Sequence, residues 1–502
     1  MMEHGLQKFY SIYKGVCMEQ VVPREALVKI AEFVYEIPKS FRSDMRVPAR
    51  IFVSEQMLDQ LLTDRSLWQL VNVTTLPGIQ TAGFAMPDIH EGYGFPIGGV
   101  AAMAVHDGGV ISPGGIGYDI NCGVRLLASS MTVQELKPRL SDVANEIFRA
   151  IPSGVGKGGA LKLKGAELDR VLQEGARRMV ELGYGVPADL DCCEENGCMH
   201  GADPRSVSFR AKERGAGQLG TLGSGNHFLE IQKVEEIFDE DVAKSFGLVK
   251  DGVTFMIHCG SRGLGHQTCT DHVRQMVPKM AGWGITLPDR ELACAPFDSH
   301  EGKAYFAAMA ASANYAWANR HVIAHNVRQA WMNILGGESN LRTVYDVAHN
   351  VGKREVHEID GKNVEVIMHR KGATRAFPAG RPEIPEQYKS VGHPVLIPGT
   401  MGTASYVLVG TEQGLKESFG STCHGAGRRM SRRQAKREVR GATLREALER
   451  KGIVVCCTSD QGLAEEAPLA YKDVHNVVDI VEGAGIARRV AKLVPLAVIK
   501  GN

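Results

Sequence analysis

Asp119 and Cys122 stand three residues apart in the glycine-rich stretch ProGlyGlyIleGlyTyrAspIleAsnCysGlyValArg at 113–125. A carboxylate is a hard ligand and a thiolate a soft one. A cysteine beside a metal loses its proton, so its sulfur can hold one ion or bridge two. The pair alone is equally consistent with an aspartate capping its own turn and a cysteine packing as a small hydrophobe. Three further stretches tilt the balance: LeuGlySerGlyAsnHisPheLeuGlu at 222–230, MetIleHisCysGlySerArgGlyLeuGlyHis at 256–266 and TyrAspValAlaHisAsn at 345–350. Each follows an apolar run with a histidine among Gly, Asn or Ser, a setting better suited to binding than to packing. His227, His258 and His349 could therefore complete nitrogen ligation around Asp119 and Cys122. The stretch CysCysGluGluAsnGlyCysMetHis at 192–200 matches no standard zinc spacing and reads as a surface loop.

GlySerGlyAsn at 223–226, GlySerArgGlyLeuGly at 260–265, ProGlyThrMetGlyThrAlaSer at 398–405 and HisGlyAlaGlyArg at 424–428 are candidate phosphate loops. Glycines let backbone N–H groups approach phosphate oxygens, and arginine adds a bidentate grip. There is no GxxxxGK[ST] loop and no persuasive dinucleotide fingerprint, so a nucleotide would be held by another architecture. His424, between Cys423 and small residues, has little shielding. A neutral imidazole nitrogen can attack phosphorus once the phosphate charge is neutralised, and metal ligation is its competing role. The following ArgArgMetSerArgArgGlnAlaLysArgGluValArg predicts a helix from about Ser431 to Glu449. It would place Arg428, Arg432, Lys436 and Arg440 on one stripe, with Arg429, Arg433 and Arg437 beside it, as a track for an RNA backbone.

Strand-length apolar runs at Val253–Ile257, Val364–Met368, Val395–Ile397 and Tyr406–Val409 end in Gly- or His-bearing turns. An Ala-rich pattern from about Gly302 to Leu335 predicts a long helix. The mixture gives an α+β fold, mixed β-sheets with surrounding helices and the site on loops at strand ends. No composition break, repeat or linker divides residues 1–502, which read as one large catalytic domain. Lys+Arg at 58 against Asp+Glu at 57 exclude a globally basic protein, so any nucleic-acid surface is local. The N-terminus lacks a basic segment followed by a long apolar run, and no stretch approaches the roughly 20 apolar residues of a membrane helix, so neither a leader nor a span is expected. The odd count of 11 cysteines is unlike a secreted disulfide framework. The expectation is a cytoplasmic protein, shared with the nucleus if the source is eukaryotic.

The chain resembles the RtcB family of tRNA-splicing, 3′-phosphate/5′-hydroxyl RNA ligases. The match runs in order through MetProAspIleHisGluGlyTyrGlyPheProIleGlyGly at 86–99, AspIleAsnCysGlyValArg at 119–125, GlyAsnHis at 225–227 and HisCysGlySerArgGlyLeuGlyHis at 258–266. It continues through HisArgLysGlyAlaThrArgAlaPhePro at 369–378, GlyThrMetGlyThrAlaSerTyr at 399–406 and CysHisGlyAlaGlyArg at 423–428. The resemblance implies one metal on Asp119, Cys122 and His227 and a second on Cys122, His258 and His349, with Cys122 bridging. It also implies guanosine-nucleotide contacts at Asn226, Glu230, Asn350, Ser405, Tyr471 and Lys500. His227, Phe228, Leu229, His349, Pro398, Gly399, Thr400, Met401, Gly425, Ala426 and Gly427 complete that nucleotide site, and His424 is the residue that becomes guanylylated. The implied cofactors are GTP and two Mn²⁺ ions per subunit, whereas ligand softness alone would favour Zn²⁺. The implied partners are RNA ends, tRNA halves or broken strands, together with an archease-like activator and no membrane. Cys259 stands where many relatives have Ser and Thr400 where some do, both expected clear of the metal set. The rival readings are a two-metal phosphodiesterase without a covalent step, and an RNA-binding protein with structural metals.

Overall fold

The computed structural model describes residues 21–154, 156–337 and 340–501. The N-terminal stretch read for a leader, including Cys17, lies outside them. Two large sheets carry the fold. The first orders seven strands as Val28–Ala31, Val34–Ile37, Ala49–Phe52, Gly83–His90, Ile97–Ala104, Lys362–Lys371 and Asn350–Ile359. The second runs Arg342–Ala348, Gly123–Thr132, Gly252–Cys259, Phe228–Ile237, Ala487–Lys500, Ser405–Gly410 and Pro394–Ile397. Val454–Cys457 pairs in parallel beside Ala487–Lys500. All four expected strands are present, each slightly longer than its apolar run. Pairing is largely antiparallel with helices packed around the sheets, so the fold is α+β as expected.

The helix His300–Leu335 matches the Ala-rich pattern almost end to end. It starts where Ser299 Oγ accepts the Gly302 N–H at 3.0 Å and ends at Gly336, whose φ is +74°. Small side chains such as Ala310, Ala313 and Ala318 let sheet and helices approach it closely, so most of its surface is buried. Its C-terminal half joins Leu140–Ala150 over one face of the second sheet, around Leu127, Phe255, Ile257 and Trp331. Phe246, Tyr345, Tyr388 and Leu396 fill the other face. The first sheet rests on Leu58, Leu70, Val477 and Val481 from three flanking helices.

The chain passes between the sheets at points that matter for the site. The segment from Ile97–Ala104 to Gly123–Thr132 contains Asp119 and Cys122, and His349 alone separates Arg342–Ala348 from Asn350–Ile359. Among the described residues no helix is long and apolar enough to cross a membrane, and the ten described cysteines are free thiols.

The predicted helix at 431–449 is two helices, Arg432–Glu438 and Gly441–Arg450. Val439 and Arg440 between them are extended, with φ/ψ of −120°/129° and −88°/121°. A Cβ on Gly441 would lie 1.8 Å from the Asp460 carbonyl oxygen, so the chain turns there by close packing that only glycine admits. Arg428 precedes the first helix and Arg440 caps the second, which breaks the expected four-residue stripe.

Candidate active site

The turn at 119–122 places both first-read residues. Asn121 sits at φ +52°, and the Cys122 N–H donates to the Asp119 carbonyl at 2.9 Å. Behind it, fully buried Arg320 donates to the carbonyls of Asn121 at 2.7 Å and Cys259 at 2.8 Å. It also pairs with Asp346 at 2.7 Å, and Asp346 pairs in turn with buried Arg125 at 2.7 Å. One guanidinium thereby ties the turn bearing Cys122 to the strand end bearing His258.

His227 enters from the loop before Phe228–Ile237. Its Nδ1 donates to the Leu222 carbonyl at 3.1 Å, turning Nε2 toward Asp119 Oδ2 at 2.8 Å and Cys122 Sγ at 3.5 Å. His258 Nε2 lies 3.3 Å from Cys122 Sγ and 3.3 Å from His349 Nε2. Two triads result, Asp119–Cys122–His227 and Cys122–His258–His349, each with donor atoms within 4.8 Å of one another. They bring together the residues that the resemblance implied as ligands, with Cys122 in both groups. Burial pushes the Cys122 thiol up to about 11, with Asp119 reinforcing the shift. Burial also opposes ionisation of Asp119, but hydrogen bonding and charge from His227 outweigh it and hold the carboxyl at about 2. His258 and His349 are held well below the ordinary imidazole value, chiefly by burial. Neutral imidazoles are the ligating form. Cys259 is not clear of this set, since its Sγ lies 3.8 Å from His227 Nδ1.

His424 follows the short strand Ser421–Cys423, and only 14% of its side chain is exposed, less than the flanking small residues suggested. Its backbone N–H and Nδ1–H both donate to Asp88 Oδ2, at 3.0 and 2.6 Å. Its ring lies against that of His349, with centroids 4.8 Å apart. Gly427 allows this approach, because a Cβ there would sit 2.2 Å from the Asp88 carbonyl.

A cavity of about 520 Å³ opens over these groups, a size suited to a nucleotide. Asn226, Phe228, Glu230, Asn350, the 398–401 loop, His424–Gly427, Tyr471 and Lys500 all line it. Three expected contacts, His227, Leu229 and Ser405, do not; His227 is buried with its Nε2 turned to Asp119 and Cys122. Leu229 packs in the core beneath, because strand alternation turns it away, and Ser405 is buried under the loop, accepting from Gly399 N–H at 3.1 Å and Gln232 Nε2 at 3.2 Å. The Asn350 amide is engaged by the backbone, donating to Asp119 O at 3.1 Å and accepting from Gly372 N–H at 2.8 Å. Burial pushes Glu230 up to about 8, against the hydrogen bond from Gln232 and the charge of Lys500.

The arginines read as an RNA track are partly neutralised. Arg428 and Arg432 each pair with Glu466 at 2.9 Å, and Lys436 pairs with Glu465. The Arg428 guanidinium also lies over the Tyr471 ring, 4.9 Å from its centroid. Exposed Arg433 and Arg437 form no such pairs among the described residues. The stretch at 192–200 is not simply a surface loop: Cys192 and Cys193 are buried and accept from Gln387 Nε2 at 2.7 Å and Arg125 Nη2 at 3.0 Å. With Cys198 and His200 they form no ligand cluster among the described residues.

Asp88, Tyr93, Tyr118, Lys371 and Glu466 belong to the cavity or its support and were not singled out. Asp88 stood inside the quoted 86–99 motif, where an Asp two residues before a His was the available signal.

A buried thiol–imidazole–carboxylate cluster opening into a nucleotide-sized cavity defines an enzyme with candidate metal-binding residues. A family model for the tRNA-splicing ligase RtcB matches residues 69–501, and the chain belongs to this family of ligases. It is similar to the "tRNA-splicing ligase RtcB" of Archaeoglobus fulgidus, with 55% identity over 95% of this chain and 99% of the relative. The protein of the same name from Thermococcus kodakarensis is 51% identical over 96% and 100% of the two chains. The "RNA-splicing ligase RtcB" of Mycobacterium tuberculosis is 53% identical over 86% and 100%.

Proposed function

We propose that the chain is a GTP- and Mn²⁺-dependent RNA ligase. It joins 2′,3′-cyclic phosphate or 3′-phosphate ends to 5′-hydroxyl ends through a covalent His424–GMP adduct, in tRNA splicing, RNA repair or both. The whole chain acts as a single catalytic domain in the cytoplasm, and in the nucleus if the source is eukaryotic, with an archease-like protein as its activator. The names carried by its relatives support RNA as the substrate.

The observation that carries the reading is the Nδ1–H of His424 held by Asp88 at 2.6 Å, which leaves Nε2 as the ring's free lone pair beside the two triads. Nε2 attacks the α-phosphorus of GTP; the N–P bond forms as the P–O bond to pyrophosphate breaks. Asp88 compensates the positive charge that develops on the ring. Water first opens a cyclic end to a 3′-phosphate. An oxygen of that phosphate then displaces His424 from the GMP phosphorus, and the 5′-hydroxyl oxygen attacks the activated 3′-phosphate, releasing GMP and sealing the strand.

Asp119, Cys122 and His227 would hold one ion and Cys122, His258 and His349 the other. The donor set fits, since buried nitrogen and sulfur lone pairs converge and His227 is oriented by the Leu222 carbonyl. For both triads to ligate, His227 gives up the proton it shares with Asp119. Bound divalent cations supply charge neutralisation and polarisation of the phosphate. Glu230 is the residue type that accepts guanine's adjacent N1–H and N2–H donors, while Lys500, donating to the carbonyls of Gly225 at 2.8 Å and His227 at 3.2 Å, fixes the loop beside it.

Incubation with Mn²⁺ and α-labelled GTP tests the reading. An acid-labile protein adduct should form and vanish in His424→Ala. An unlabelled native protein that still hydrolyses phosphodiesters would replace the ligase with a two-metal hydrolase.

A further inference from the structure

Aromatic rings lead out of the cavity toward solvent. Tyr93 and Tyr118 both line it, with ring centroids 5.2 Å apart and planes at 69°. Tyr118 is stacked in turn on His266, at 4.8 Å and 30°. His266 lies near the start of the helix Arg262–Met276, is exposed, and has Tyr118 as its only ring partner among the described residues. The inner end of this series is fixed to the metal-ligand turn, since Tyr118 directly precedes Asp119.

Two features distinguish the series from ordinary surface packing. Its outermost ring is held in place by stacking yet is left open to solvent, which is what a nucleobase requires of a protein surface. A cation also stands beside it: exposed Arg214 bonds Gln267 at 3.0 Å and is close enough for its charge to act on His266. An aromatic face with an adjacent arginine suits a base and its phosphate together.

We propose that Tyr93, Tyr118 and His266 form a stacking platform for a nucleobase of an RNA strand whose end enters the cavity. The proposal rests on the RNA-ligase reading above and adds a docking position outside the metal cluster. Every base has a π face, so such a platform orients a strand without selecting its sequence. The neighbouring cavity then receives the reacting end at a fixed angle.

The test uses the full chain with Mn²⁺ and single-stranded RNA oligonucleotides carrying either a 3′-phosphate or a 5′-hydroxyl. Binding is read by fluorescence anisotropy. His266→Ala should weaken binding of at least one oligonucleotide by about tenfold, and His266→Phe should recover most of that loss, as base stacking on a ring predicts. An abasic site at the docked nucleotide should cost the native protein a similar factor and His266→Ala nothing further. The proposal is overturned if His266→Ala binds both oligonucleotides as the native protein does. Failure of phenylalanine to rescue, an abasic penalty unchanged by the mutation, or a loss confined to GTP affinity overturns it equally. Adduct formation by the native protein reports separately on the ligase reading, so the two can fail independently.

Discussion

Replacing Asp88 with asparagine preserves its shape and removes its charge. Asp88 is fully buried, and one carboxylate oxygen accepts both the backbone N–H and the Nδ1–H of His424. In the proposed reaction the ring becomes cationic as Nε2 bonds to phosphorus, about 4 Å from the centre of the carboxylate charge. At an effective dielectric of about 20 that attraction is worth about 4 kcal/mol. Each ~1.4 kcal/mol is a factor of ten in rate, so Asp88→Asn should form the GMP adduct about a thousandfold more slowly. Rapid-quench kinetics at saturating GTP and Mn²⁺ measure the rate, and a parallel Mn²⁺ titration by electron paramagnetic resonance measures occupancy. Mn²⁺ affinity should be nearly unchanged, because Asp88 belongs to neither triad. A variant within about tenfold of native would refute the charge argument. Loss of Mn²⁺ in proportion to rate would show instead that Asp88 acts through the ligands.

Glu230 supplies a pH signature. Its carboxyl is raised from 4.5 to about 8 by burial, so folding takes up a proton; that stabilisation is complete below about 4.5 and is lost as pH rises through about 8. The nucleotide-free melting temperature should fall over this window, and Glu230→Gln should flatten the fall; an unchanged slope would assign it to another group. Arg320→Met leaves the Asn121 and Cys259 carbonyls without their guanidinium and Asp346 with one cation fewer. A destabilisation of about 3–5 kcal/mol in denaturant titration, with weakened Mn²⁺ binding, is expected. Stability and metal affinity both equal to native would remove Arg320 from the supporting frame. Neutralising exposed Arg433 and Arg437 should reduce the salt dependence of RNA binding by about 0.7 per phosphate contact in log–log slope. Neutralising Arg432 and Lys436, already paired with Glu466 and Glu465, should change it less, and the reverse order would restore the stripe inferred from sequence.

The readable parts of the molecule were those whose signal is local. Strands such as Val364–Met368 announced themselves by composition, and the helix to Leu335 by its Ala-rich pattern. Asp119, Cys122, His227 and His258 stood out because few residue types ligate metals and each lay close to glycines, and His349 because it stood beside an asparagine after an apolar run. Asp88 was harder, because its partner His424 is 336 residues away and a single carboxylate in a buried strand has no spacing to betray it. Arg320 was hidden in mid-helix, its role set by carbonyls from two distant turns. The basic stripe failed because helical periodicity ignores Glu465, Glu466 and the close approach at Gly441, all of them tertiary facts.

His349 is a one-residue stitch between two sheets, and Asp119 and Cys122 lie on another thread crossing the same gap. Ions seated on these side chains would rivet the sheets together, so catalytic loading and mechanical integrity become one property. At a hundred times its dissociation constant, a ligand that binds only the folded state adds about 2.7 kcal/mol to its stability. Chelation should therefore loosen strands far from the cavity in both sheets at once, and a substitution remote in either sheet can register as a change in metal affinity.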